Sequence, residues 1–130
     1  MLAKILSGAN IGLDAVPITV EVDISSKSLP SFTIVGLADR AVEESKDRVR
    51  SAIRNCDAEF PSRKITVNLA PADLPKEGPS YDLPIALGVL LASGQIPHSN
   101  IDELKNYLVV GELSLDGALS RTHGILPLAI

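Results

Sequence analysis

The chain has 130 residues, a formal net charge of −4 at neutral pH, 45% hydrophobic but only 3% aromatic residues, and one cysteine. That length supports a single domain burying roughly two thirds of its unfolded surface, with a core that Leu, Ile, Val and Ala must build. The acidic balance gives no global attraction to nucleic acid or anionic membrane, lone Cys56 excludes an internal disulfide, and neither a membrane span of about 18 apolar residues nor the apolar run of a leader peptide is present, so a cytoplasmic protein with no membrane partner is expected.

Residues 3–11 and 16–24 are rich in Ile and Val, and in the second run Ile18, Val20, Val22 and Ile24 alternate with Thr19, Glu21 and Asp23. Period-two alternation predicts a half-buried strand. Phe32 to Val35 reads as a third strand stopped by Gly36, and three strands at short spacing predict a largely antiparallel meander. Asp39 is placed to cap a long helix running to about Cys56, with Val42, Val49, Ile53 and Cys56 on one stripe. Arg40 with Glu44, and Glu44 with Arg48, stand four apart, a spacing worth a few tenths of a kcal/mol per pair. Lys64 to Leu69 is the next strand.

Leu74 to Gly94 follows, a proline- and glycine-rich loop that runs into a charge-free segment, Leu83 to Ala92. A helix apolar on nearly every side belongs in the core, so Leu87 and Leu90 are expected to be buried. Ser80 or Asp82 is placed to cap it, and Gly94 to end it in a left-handed conformation. Ser99 or Asn100 is placed to cap a short turn, Tyr107 to Leu115 reads as a strand with a bend at Gly111, and Asp116-Gly117 as a hairpin turn into a strand at Ala118–Arg121. Gly124 onward begins another apolar helix. An apolar end at Leu128-Ala129-Ile130 suggests a piece of a longer protein.

The order βββ-α-β-α-ββ-α carries three distinctive strings: Gly36-Leu-Ala-Asp followed by Arg48-Val-Arg-Ser-Ala-Ile, Ile65-Thr-Val-Asn-Leu-Ala-Pro-Ala-Asp-Leu-Pro-Lys-Glu-Gly, and Tyr81-Asp-Leu-Pro-Ile-Ala-Leu. Together they resemble the amino-terminal domain of the magnesium-chelatase-like AAA+ ATPases of the ComM/YifB family. The resemblance covers the whole chain. It implies an α/β, two-layer fold with a mixed sheet, like that of the Lon protease catalytic domain, for residues 1–130. It also implies an ATPase module beyond Ile130 and a hexameric, ATP-driven DNA motor acting in branch migration of incoming DNA. The chain has no Gly-Lys pair and hence no phosphate-binding loop of its own. No cofactor is expected within these residues, whereas ATP and Mg are expected for the full-length protein.

The string Leu74 to Ser80 resembles the Lon segment around the nucleophilic serine, which makes Ser80 the candidate nucleophile. A serine nucleophile needs a base. In the resemblance that base is a lysine whose position here is held by Leu126, while Lys76 is expected to point to solvent. The chain is therefore read as catalytically silent, with a Ser80 peptidase or a partner-binding regulatory domain as alternatives. His98, His123 and Cys56 lack metal-ligand spacing, and Asp73, Glu77 and Asp82 read as complements of a helix start, so no metal site is assigned. Seven of the twelve cations fall between Arg40 and Lys64. Lys46, Arg50 and Arg54 recur every four residues as one ridge, Arg48 projects roughly 160° away, and the ridge is the candidate DNA contact. With no aromatic among them, no stacking platform is expected. Expected partners are the chain's own ATPase module, neighbouring subunits of a homo-hexamer, and DNA.

Overall fold

A computed structural model describes residues 1–11, 14–26, 29–97 and 104–120. In chain order these form β1 (Leu2–Ile11), β2 (Asp14–Ser25), β3 (Ser31–Val35), α1 (Arg40–Glu43), α2 (Ser45–Asn55), β4 (Lys64–Ala70), α3 (Asp82–Ala92), β5 (Glu112–Leu113) and β6 (Leu119–Ser120). The expected order of elements holds as far as the described residues reach. The expected helix at Gly124 and the turn at Ser99 or Asn100 lie outside them.

The meander holds for one hairpin only. β1 and β2 pair antiparallel, from Leu2 opposite Asp23 to Ile11 opposite Asp14. β3 does not continue that pattern: it pairs in parallel with β4, which itself runs antiparallel to β2, so the four strands lie in the order β1-β2-β4-β3. A parallel pair needs a crossover long enough to carry the chain back, and α1 and α2 supply it. β4 turns Ile65, Val67 and Leu69 fully inward, which suits an interior strand, while the short β3 takes the edge.

One side of the sheet is apolar and carries the helices. On β2, Ile18, Val20, Val22 and Ile24 are buried and Asp23 on the opposite face is exposed, so the alternation of the sequence becomes a two-layer division of inside and outside. α3 lies across β1 and β2, and α2 packs on α3 and β3. At Gly88 a β-carbon would stand 2.4 Å from Val22 Cγ2; the missing side chain lets the helix sit close against the sheet. Ile85 and Val89 are fully buried, whereas Leu83, Leu87 and Leu90 are only half-buried. The all-round burial expected of this helix is thus broken along one stripe, Leu83, Leu87 and Leu90. Gly94 has φ +80°, and the Gln95 amide beyond it donates to Leu90 O at 2.9 Å, closing the helix as expected.

The helix expected from Asp39 to Cys56 is capped as predicted, with Asp39 Oδ1 accepting from the Val42 amide at 2.8 Å. It is interrupted at Glu44, which ends α1 and precedes α2. Val49, Ala52 and Ile53 are its buried face, and Cys56 is exposed instead of completing the stripe. Both expected charge pairs form, Arg40–Glu44 at 3.5 Å and Arg48–Glu44 at 3.6 Å. The Tyr107–Leu115 strand shortens to Glu112–Leu113, which pairs with β6 around Asp116-Gly117 as expected. There the Gly117 amide donates to Ser114 O at 3.0 Å.

Candidate functional site

The loop before α3 is drawn against the start of α1. The Lys76 amide donates to Leu37 O and the Asp39 amide to Lys76 O, each at 3.0 Å, and Asp39 Oδ2 accepts from the Gly78 amide at 3.2 Å. This backbone clamp turns the Lys76 side chain inward. Lys76 is completely buried, contrary to the expectation that it faces solvent, and its ammonium donates to Pro71 O. Burial pushes that amine below the ordinary lysine range, with Asp73 working against the shift.

Ser80 is half-buried and does not cap α3. Its carbonyl accepts from the Gly111 amide at 2.8 Å, and its hydroxyl has no partner among the described residues. A serine nucleophile needs a base within hydrogen-bond reach, and none reaches Ser80 among the described residues. Leu126, which the resemblance puts at the base position, lies outside the described residues, as do His98 and His123. Among the described residues no three His, Cys, Asp or Glu side chains converge as metal ligands would.

Asp82, the other expected cap, has a different role. It is fully buried and receives four hydrogen bonds: Ser45 Oγ at 2.5 Å, Arg48 Nε at 2.6 Å, Arg48 Nη2 at 3.1 Å and the Leu113 amide at 3.0 Å. Three elements, α2, α3 and β5, meet on this one carboxylate. The hydrogen bond to Asp82 in turn raises Arg48 further above its already high pKa, against the opposing pull of burial. Next to it Tyr81 is buried, and loss of solvent, helped by Asp39 and Glu77, pushes its phenol up to about 12.

The basic ridge divides. Lys46 is neutralised by Glu43 at 3.0 Å. Arg50 and Arg54 turn instead toward Phe60, their guanidinium carbons 5.2 and 5.9 Å from its ring centroid, a cation–π geometry. An aromatic does therefore stand among the basic residues, and its signal was present in the sequence as Phe60-Pro61 just beyond a basic helix. The loop that carries it is fixed: the Ala58 amide donates to Ile53 O at 3.2 Å, the Glu59 amide to Gln95 Oε1 at 2.9 Å, and Phe60 packs on Phe32 at 5.3 Å. Beside the ring opens a cleft of about 240 Å³ into which Arg50, Arg54, Ser62 and Arg63 also face. No carboxylate pairs with Arg50, Arg54 or Arg63 among the described residues.

Residues 20–130 match the family model described as subunit ChlI of Mg-chelatase. The chain is 54% identical over 125 residues to YifB of Escherichia coli (strain K12), covering 96% of this chain. It is 49% identical over 126 residues, 97% of this chain, to competence protein ComM of Haemophilus influenzae. A Mycobacterium tuberculosis (strain H37Rv) protein is 44% identical over 126 residues, again 97% of this chain. In each case the chain spans 24% of the length of the relative it matches. With the family model covering most of the sequence and these identities running almost end to end, the chain belongs to the ComM/YifB family, within the wider group of the Mg-chelatase subunit ChlI.

Proposed function

We propose that the chain is a non-catalytic amino-terminal module of a magnesium-chelatase-like AAA+ ATPase, with a fold like that of the Lon catalytic domain, and that it contributes DNA and subunit contacts to a hexameric motor. The relatives are about four times as long, and the remaining length is where this reading places the ATPase, with its ATP and Mg. The Haemophilus influenzae relative bears the name competence protein, which supports a role in competence; the handling of incoming DNA, with branch migration during recombination, is the form this reading gives that role. Such a protein works in the cytoplasm; no helix among the described residues is long and apolar enough to cross a membrane.

The observation that carries the DNA contact is the set of three arginines that pair with no carboxylate among the described residues, on a chain whose net charge is −4. Such a chain has acids to spare, and cations kept apart from them, Arg54 and Arg63 exposed and Arg50 half-buried, suit a polyanion. Deleting residues 1–130 from the full-length protein is the test. The deletion should leave basal ATP hydrolysis in place and weaken both DNA affinity and DNA-stimulated turnover. Unchanged DNA affinity, stimulation and ring assembly would remove the module from the motor's DNA path.

A further inference from the structure

We infer that the cleft between α2 and the Phe60 loop is a phosphodiester site that grips the backbone of a nucleic-acid strand and leaves its bases unread. The inference rests on the DNA-contact reading and names the residues and chemistry behind it. Lys46, which the spacing of the sequence put in the ridge, is neutralised by Glu43. Arg63, which enters from the far end of the loop just before β4, takes its place beside Arg50 and Arg54.

Three features point to phosphate. Arg50 and Arg54 converge on one ring, so two like charges are held close together where α2 alone would let them splay apart. That arrangement is relieved by an anion bound between them. The guanidinium is a planar fork matched to two phosphate oxygens, and the Ser62 hydroxyl on the same wall can donate a further hydrogen bond. Beyond Arg54, Ser62 and Arg63 the cleft adjoins a second trough of about 480 Å³ that reaches Ser93 and Gln95. The cations thus border an elongated path, as a linear polyanion requires. Glu59 is the acid on that path, at the end remote from Arg50.

Phe60 sets what is not recognised. Both guanidinium groups lie over it and Phe32 packs against it, so the ring acts as a spacer for the arginines, and a base could stack on it only by displacing those contacts. Binding is then indifferent to sequence. With three contacts, the logarithm of affinity should fall against the logarithm of salt concentration with a slope of about −2 to −3.

Amide shifts of the 130-residue chain, titrated at low salt with a ten-nucleotide oligo(dT) strand and with a ten-base-pair duplex, test this. Shifts should concentrate in residues 50–63, with weak affinity. The R54A and R63A substitutions should each reduce the salt slope by about one while leaving the rest of the spectrum in place. Poly-glutamate of matched charge should shift the same residues far less. Equal shifts with poly-glutamate would make this an acidic-peptide site and overturn the assignment. DNA-induced shifts confined to other surfaces would overturn the cleft and leave the DNA-contact reading standing. No shift with either DNA would overturn the site, while the deletion in the full-length protein would still decide the wider reading.

Discussion

Arg48 and Arg50 stand two residues apart on one short helix and lead opposite lives. Arg48 turns inward, where Asp82 takes two of its N–H groups and Ala41 O a third at 2.8 Å. Arg50 turns outward, shares the Phe60 ring with Arg54, and has no carboxylate among the described residues. About 100° of rotation per residue separates the two faces, and what each face meets decides the rest. The inner arginine is a joint of the fold, costly to break because its partner is buried. The outer one is a charge stabilised by geometry and open to a ligand. Residue type alone does not distinguish a structural cation from a binding cation; the location of the nearest carboxylate does.

The contrast breaks most severely at Asp82. D82A would remove the buried partner of Arg48, leaving it the exposed Glu44 and the Ala41 carbonyl, and leave Ser45 Oγ and the Leu113 amide without an acceptor, a loss of about 3 kcal/mol or more in urea denaturation. D82N keeps the shape and removes the charge, so it should cost less. An unaltered midpoint in D82A would mean the seam between α2, α3 and β5 is not what holds them together.

A loss of about 2–5 kcal/mol is expected for I85A, which empties a fully buried site on α3. L87A, on the half-buried stripe of the same helix, should cost distinctly less. Equal losses would mean that α3 is buried on all sides after all, as its composition alone suggests.

Alkaline titration sharpens the inner half of the contrast more gently. Because the Tyr81 phenol is pushed up to about 12, the native state keeps its proton after the unfolded chain, with an ordinary tyrosine near 10, has released it. The folded state binds more protons in that window, so stability should decline as pH rises from about 10 to 12. Buried Lys76, shifted down, acts with the opposite sign, gaining stability as the pH rises through its lowered value toward that of an ordinary lysine. In a Tyr107→Phe background, ultraviolet absorbance should follow the Tyr81 phenolate to a midpoint near 12; ionisation near 10 would show that the ring is solvated.

The smallest effect on stability belongs to the outer arginines. R54A removes an exposed side chain from a cation–π contact and should move stability by no more than about 0.5–1 kcal/mol, while the proposed site predicts a clear drop in the DNA salt slope. A large destabilisation without any change in DNA binding would turn Arg54 into a second Arg48.

Much of the fold was legible along the chain because it depends on neighbours. The alternation of Ile18 to Ile24, the helical period through Val42, Val49 and Ile53, the cap at Asp39, the stop at Gly94 and the turn at Asp116-Gly117 each follow from the local backbone and the side chains within one or two turns of it. The long strings shared with the ComM/YifB family were legible in the same way. Pairing was not: β3 lies beside β4 and not β2 because that choice weighs surfaces buried between residues some thirty positions apart, Phe32 against Ile65. The candidate sites divide along the same line. Position on α2 separated Arg48 from Arg50 and Arg54 without any structure, since rotation per residue is a local property. Only the tertiary structure brought Asp82 across 34 residues to Arg48, turned Lys76 inward and set Phe60 between two arginines. A buried charge is tolerated only where distant groups converge on it, and that convergence is a property of the packed chain, absent from any stretch of it.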